Sequence, residues 1–508
     1  MAITFNNIPT TIRTPGAYVE IDNSRALKGL VQNPHKVLIL GQKLAAGSAP
    51  FDTLTAISRD NLADGFFGAG SVLARMCNTF KDNNPNTEVY AMALGSGIGG
   101  TAASADIMLS AAIYSDIISG THTWYIMIDG QQLEVAFTSG MSGVGMATKI
   151  ASMINSTSNL PITAAISAGT VGLTAVCSGT LGNYISIIEN YYGTQTPSCF
   201  SQEMIKIVST AAVSTSFYYS FTGGATDPDL GDAWAVIAGE QFHYIIQPYI
   251  AAANLTEIED ELEDRFLPLE DLQGHGFTCV RGAMASATTL GNTRNSPHNT
   301  IIANTNAPQT PERWAAAWGA QAAWNLNIDP ARPLHTLKLK GILPPPITDR
   351  YIRSERDTLL YDGIATWIVD SGGNVLIERS ITSYQENALG TPDPSYLDIQ
   401  TLATLGEIRY QYKTRMVNRF IIPRFKLADD TFPVQPGSNV ATPKTVKQET
   451  IALFTLLRDV GLIENLDDFI DNLVVERNLA DRNRVDVLLP ADLINQFRVL
   501  AGNIQFIL

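Results

Sequence analysis

The sequence predicts a multidomain chain of mixed class. An α/β core and an α+β C-terminal domain are expected, with a β-rich module inserted into the core. Three observations carry this. Short apolar strands alternate with helical patterns at 35–94, and α/β alternation returns at 227–345. Between them the composition changes abruptly: from 135 to 226 the charged residues are Lys149, Glu189, Glu203 and Lys206, where the chain-wide 16% would place about fifteen. Beyond residue 346 a basic helical stretch is followed by strand patterns that no helix remains to cover.

With 508 residues and 45% apolar content, the chain has room for about three domains with real cores. The net charge of −15 argues against a general nucleic-acid binder, because phosphate contacts need a basic face. Cys77, Cys177, Cys199 and Cys279 lie far apart with no CxxC pair. Neither a zinc site nor a disulfide framework follows, and folding in a reducing cytoplasm is expected. MAITFNNIPTTIRTPGAY lacks a basic segment followed by an apolar one, so no secretory signal is expected. Uncharged stretches are broken by Gly, Ser, Thr and Asn, and none has the pattern of a membrane span.

Residues 1–30 are expected to be an arm with one strand-like run, Ala17–Ile21, containing Tyr18, Val19 and Ile21. The α/β core takes 31–102 and 223–345. In it, KVLILG and TEVYAMAL are strands on either side of a helical stretch at Ser71–Phe80. The insertion takes 103–222. Its YIMIDGQQLEVAF is two alternating runs joined by Asp129-Gly130, a strong hairpin signal. Met146, Ile150, Met153 and Ile154 then follow at helical spacing, and PITAAI and VGLTAV flank SAGT as strands. So charge-poor a module suggests neither catalysis nor phosphate binding.

Back in the core, FHYIIQPYI is a buried strand candidate. TEIEDELEDRF sets Leu255, Ile258, Leu262 and Phe266 on one helical face, and its six acids form a solvated face. ILPPP at 342–346 is a rigid connector.

The C-terminal domain is expected at 346–495. Leu402, Leu405, Tyr412 and Met416 form a helical stripe in a segment holding six bases against one acid between Gly406 and Lys426. Concentrated basicity in an acidic chain points to an acidic partner or a neighbouring copy. TPKTVKQETIALFTLLRDVGLI starts a helix with Thr442 as cap and Pro443 in the first turn, and stops at Gly461. LVVERN, RVDVLLP and QFRVLAGNIQFIL follow as strands. Residues 496–508 form a second arm. Its AGNIQFIL alternates through Ile504, Phe506 and Leu508, and a bare apolar strand is a template for pairing with another chain.

Three chemical motifs each admit a structural reading. GSGIGG at 95–100 fits the spacing of a dinucleotide-binding loop after VYAMAL. Such a loop must open a helix, whereas TAASADIML has the pattern of a β run. A glycine-rich passage into the insertion is the better reading, and a nucleotide-dependent enzyme the alternative. His35, His122, His243, His275, His298 and His335 are scattered singly, without metal-ligand spacing. His275 and His298 lie near Ser286 and Ser296 in sequence, but no G-x-S-x-G elbow is present. No catalytic, cofactor or metal site is expected.

The chain resembles the tail sheath proteins of contractile phages, in their Mu-like type. TPGAYVEID, GHGFT, RNSPH and IERSITSYQ carry the likeness. So do YLDIQTLATLGEIRYQYKTR, PRFKLADD, TPKTVKQETIALF, VVERN and VDVLLPADLINQFRVLAGNIQF. YIMIDG, IASMIN, LPITAAI and GTLGNYISI resemble the family's variable outer domain.

The resemblance implies a core of subtilisin-like topology without protease activity, an outward insertion, and a C-terminal domain near an inner tube. It implies hexameric rings stacked helically on a tail tube protein, with baseplate and tail terminator proteins as further partners. No direct nucleic-acid contact, membrane insertion or cofactor is implied. The sleeve is virion material assembled in the host cytoplasm. It is metastable when extended, and on contraction it drives the tube through the host envelope. A phage-derived bacteriocin or injection device would use the same mechanism.

Tyr18, Val19, Ile21, Ile504, Phe506 and Leu508 then become strands exchanged between subunits, completing neighbours' sheets. Arg409, Lys413, Arg415, Lys444 and Lys447 become candidate contacts to the tube or a neighbour. Burying the three C-terminal side chains would contribute roughly 5–8 kcal/mol. Ordering about six residues would cost roughly 6–12 kcal/mol. One arm is therefore marginal alone, and a lattice of arms is cooperative.

Overall fold

The computed structural model describes residues 14–17, 19, 29–59, 61–109, 122–138, 141–167, 169–193, 205–208, 218–433 and 438–507. By internal contacts the chain divides into two units. The larger is Pro34–Gly406 with Asn495–Leu508; the smaller is Glu407–Ile494 with residues up to Asn33.

In the larger unit the chain begins with β1 (Lys36–Gln42), β2 (Thr55–Ala56) and β3 (Glu88–Leu94). β1 and β3 pair in parallel from Lys36 opposite Glu88 to Gln42 opposite Leu94, and β2 adds antiparallel to β3. Val37, Leu38, Ile39 and Leu40 are all buried, which is why a strand covered on both faces reads as an unbroken apolar run. The helix Val72–Asn83 starts at Ser71, whose hydroxyl accepts from the Ala74 N–H at 3.1 Å.

The insertion follows as two four-stranded sheets. One has the order β10-β4-β8-β7 and the other β11-β9-β5-β6. The strands are β4 (Ala102–Leu109), β5 (His122–Ile128), β6 (Gln131–Phe137), β7 (Ile162–Ser167), β8 (Thr170–Ser178), β9 (Ser186–Glu189), β10 (Ile205–Val208) and β11 (Tyr218–Ser220). The helix Gly143–Ser156 buries Met146, Ile150 and Ile154 in a core shared with Trp124, Phe137, Val171 and Phe221. Asp129 (φ 48°) and Gly130 (φ 80°) turn the β5–β6 hairpin; both left-handed angles are what a two-residue turn of this kind requires. The chain enters and leaves side by side, with Thr101 and Ala225 exchanging backbone hydrogen bonds of 3.1 and 3.2 Å.

β12 (Tyr244–Ile246), β13 (His275–Arg281), β14 (Asn299–Asn304), β15 (Ile364–Val369) and β16 (Val375–Arg379) complete the core sheet. Its order is β16-β15-β14-β13-β12-β1-β3-β2, parallel apart from β16 and β2 at the edges. The helix Pro311–Ile328 buries Trp314 and Trp318. Gly319 permits the close approach of that helix to the sheet: a Cβ there would lie 2.6 Å from Ile246 Cδ1.

The boundary expected at 345 needs correction. β15 and β16 lie beyond ILPPP yet extend the core sheet, and the contact division falls between Gly406 and Glu407. Strand pairing across the sheet overrides the local stiffness of a proline run.

The smaller unit packs helix Pro443–Asp459 against helix Leu466–Asn472, with the Phe454 and Phe469 rings stacked at 3.9 Å. The Thr442 hydroxyl caps the longer helix on the Thr445 N–H, and Gly461 (φ 78°) follows its end. Three two-stranded ribbons surround them. β17 (Lys426–Leu427) pairs with β18 (Val440–Ala441), β19 (Ile463–Glu464) with β22 (Asp492–Leu493), and β20 (Val474–Arg477) with β21 (Val485–Leu488).

Candidate assembly surfaces

The C-terminal segment carries its apolar side chains outward. Phe497, Val499, Leu500, Ile504 and Phe506 are all exposed, and Ile507 is 100% exposed. Residues 495–507 adopt no strand in their own chain. Side chains so apolar are normally covered. In the N-terminal arm Val19 is also exposed; Tyr18 and Ile21, like Leu508 at the other end, lie outside the described residues. Cys199 does too.

Arg498 tethers the segment. Arg498 Nη2 lies 3.0 Å from Asp398 Oδ1 and 3.3 Å from Gln400 Oε1, and it also reaches Gln496. Asp398 directly precedes the helix Ile399–Met416, and Arg379 from β16 binds the same carboxylate with two contacts of 3.2 Å.

In the smaller unit, β20 and β21 form a ribbon that pairs with no further strand among the described residues. Val474 and Leu488 are exposed on it, and Leu479 in the connecting turn is 98% exposed. Such a ribbon presents two edges of backbone donors and acceptors.

The basic candidates divide. Arg415 binds Glu449 at 2.5 Å, and Lys447 Nζ donates to the Leu473 carbonyl at 2.8 Å. Both candidate contacts thus also tie elements of their own unit together. Lys413 and Lys444 are exposed, and Arg409 is half-buried. Past Met416 the helix continues as a π turn, Val417–Ile421, after which Ile421 and Ile422 are exposed.

The acidic helix is less solvated than its charge suggests. Glu259 and Glu263 approach Arg294 and His298, each at 3.4 Å. The Glu263 carboxyl is held below its usual range by that bond to His298. His275 is buried, with Nε2 2.8 Å from the Thr300 hydroxyl, and burial pushes its pKa down to about 3. Ser296 Oγ accepts only the His298 backbone N–H, so no serine–imidazole pair of a hydrolase is formed there. GSGIGG leads into β4 and no helix opens there, so phosphate would meet no helical amides. Among the described residues no group of three His, Cys, Asp or Glu could hold a metal ion, and no helix is long and apolar enough to cross a membrane.

Two arrangements escaped the sequence. His35 and His243 stack with ring centroids 4.2 Å apart, although 207 residues separate the bonded pair Lys36 and His243. And Asp129, in the hairpin turn, is completely buried against the core. Arg75 Nη1 donates to Asp129 Oδ2 at 2.9 Å, the Thr310 N–H and hydroxyl both reach Oδ1 at 3.0 Å, and Arg313 donates to its backbone carbonyl at 2.7 Å. Arg75 also binds Glu312 at 2.6 Å, leaving two guanidinium and two carboxylate groups in balance. Burial pushes the Asp129 carboxyl up, but Arg75, Arg313 and the Thr310 N–H outweigh it and hold it below the usual range. Gly130 is needed beside it, since a Cβ there would meet the Gln309 side chain at 2.1 Å.

Comparison with known proteins agrees with this distribution of features. The family model described as phage tail sheath protein central domain matches residues 223–383, and that of the phage tail sheath C-terminal domain matches 391–507. The Mu-like prophage FluMu tail sheath protein of Haemophilus influenzae is 36% identical over 508 residues, covering 100% of both chains. Among solved structures, the sheath tail protein of Listeria innocua has a TM-score of 0.48 at 13% identity, covering 92% of this chain and 94% of that one. The sheath tail protein of Desulfitobacterium hafniense has a TM-score of 0.46 at 11% identity, covering 94% of this chain and 100% of that one. On the two domain matches and the full-length identity, the chain belongs to the phage tail sheath family, in its Mu-like type.

Proposed function

We propose that the chain is the structural and motile subunit of a contractile tail sheath. Six copies ring an inner tube, and rings stack helically between baseplate and tail terminator proteins. The sleeve is assembled extended in the host cytoplasm and contracts to drive the tube through the host envelope. The core keeps a subtilisin-like topology without catalysis, the insertion faces outward, and Arg409, Lys413 and Lys444 face the tube or an adjacent copy.

The observation that carries this is the exposed, unpaired apolar segment at 501–507, with Ile504, Phe506 and Ile507 all outward. A soluble subunit gains nothing from such a segment, whereas a polymer does. Added to the open β20–β21 ribbon of another copy, it would satisfy backbone groups on both partners and bury alternate side chains. The N-terminal arm around Tyr18, Val19 and Ile21 would serve the same lattice. Strand pairing of this kind survives while subunit bodies rotate about it, which is what a contracting sleeve demands.

Phe506→Asp tests the reading, since it places a charge in the shared strand and leaves the backbone able to pair. Monomer melting close to wild type with much shorter polymers by electron microscopy is expected. A large fall in monomer melting temperature, or sheaths of normal length, would overturn it.

A further inference from the structure

The C-terminal segment is exposed on both sides of Arg498, yet Arg498 itself is held. Its side chain is only 20% exposed, while Phe497 before it and Val499 and Leu500 after it are 74%, 81% and 83% exposed. The apolar residues of this stretch are thus left in solvent and the one charged residue is docked. Burial of apolar surface therefore does not hold the arm down; a polar clamp does. We propose that Arg498 and Asp398 form the fixed exit point of the arm, from which residues 499–507 are presented extended to a second copy of this chain. The proposal rests on the strand-exchange reading above.

Two features make the clamp a positioning device. Asp398 cannot swing, because Arg379 grips it with two contacts, its backbone carbonyl accepts the Thr401 N–H at 3.0 Å, and it bridges to Ile381 beside the core sheet. Gln400 supplies a second acceptor, so the guanidinium is oriented as well as attracted. Burial makes Arg498 harder to keep charged than a surface arginine; Asp398 offsets this in part, and the like charge of Arg379 adds to it. Residues 499–507, fully extended, span at most about 30 Å. A fixed exit also reduces the conformations an arm must give up on capture, which favours capture.

The test is tubular assembly of the purified full-length chain, followed by light scattering and electron microscopy at low and high salt. Arg498→Ala is expected to melt like wild type and to assemble about tenfold more slowly, the effect of one charge-assisted bond. Arg498→Lys is expected to restore part of the rate. Wild-type assembly is expected to slow with salt, because the clamp is partly exposed, and the alanine variant to lose most of that dependence. If Arg498→Ala assembles at the wild-type rate with wild-type salt dependence while Phe506→Asp fails, the clamp is wrong and the strand exchange stands. If Phe506→Asp assembles normally, the strand exchange itself is wrong. A steep fall in monomer melting for Arg498→Ala would make the residue a folding element, which also overturns the clamp.

Discussion

Asp129 is where a single side chain governs a junction between two bodies of structure. It comes from the insertion, while Arg75, Thr310 and Arg313 come from the core, and no water reaches the carboxylate. Removing it leaves two guanidinium groups against the one carboxylate of Glu312, which costs more than the pair itself contributes. Asp129→Ala is therefore expected to lower stability by about 3–5 kcal/mol in chemical denaturation, a loss set by the excess positive charge left at the site. The double variant with Arg75→Met should lose less than the two single losses added together. Additive losses would show that the two residues act independently.

Among the elements, the strands titrate in opposite senses. β1 begins beside His35 and β12 beside His243, whose stacked rings are half-buried. Burial pushes His35 down to about 4 from 6.5; His243 falls well below its usual value through burial, the neighbouring His35 and Lys36. Below pH 6.5 the unfolded chain takes up protons that the folded one refuses, so stability around these strands is lost as pH falls toward about 4. Glu189 in β9 behaves in reverse. Burial raises its pKa to about 7 from 4.5, against an opposing bond from Trp124. The folded state then takes the proton first, and stability is gained as pH falls from about 7 to 4.5. Hydrogen exchange at pH 7 and pH 5, corrected for intrinsic rates, should show β1 and β12 losing protection and β9 gaining it. Glu189→Gln should abolish the gain.

These elements also show what was legible beforehand. The Asp129-Gly130 hairpin, the Ser71 start and the Thr442-Pro443 to Gly461 helix were readable because each is fixed by neighbours within a few residues. The His35–His243 stack and the burial of Asp129 were not, because the partners are distant; Asp129 and Thr310 stand 181 residues apart. Periodicity reports that a face is covered and is silent about what covers it. The same limit hid the internal partners of Arg415 and Lys447, and the extension of the core sheet beyond residue 345.

On the scale of the whole molecule, the insertion has its own apolar core and its ends meet at Thr101 and Ala225. Deleting 103–222 across a short linker should therefore leave a subunit that still polymerises, with a lower melting temperature because Arg75 and Arg313 lose Asp129. Electron microscopy of the deletion variant checks this; soluble protein that never polymerises would place lattice contacts in the insertion. The buried turn has a mechanical consequence as well. A module joined only by adjacent chain crossings could swivel like a flag on its pole. This one is also pinned at a second place, by a charged key seated in the core, and the swivel is removed. Any torque on the core should then be passed to the insertion without lag, and a fluorophore or gold label there would work as a pointer to which way the core has turned.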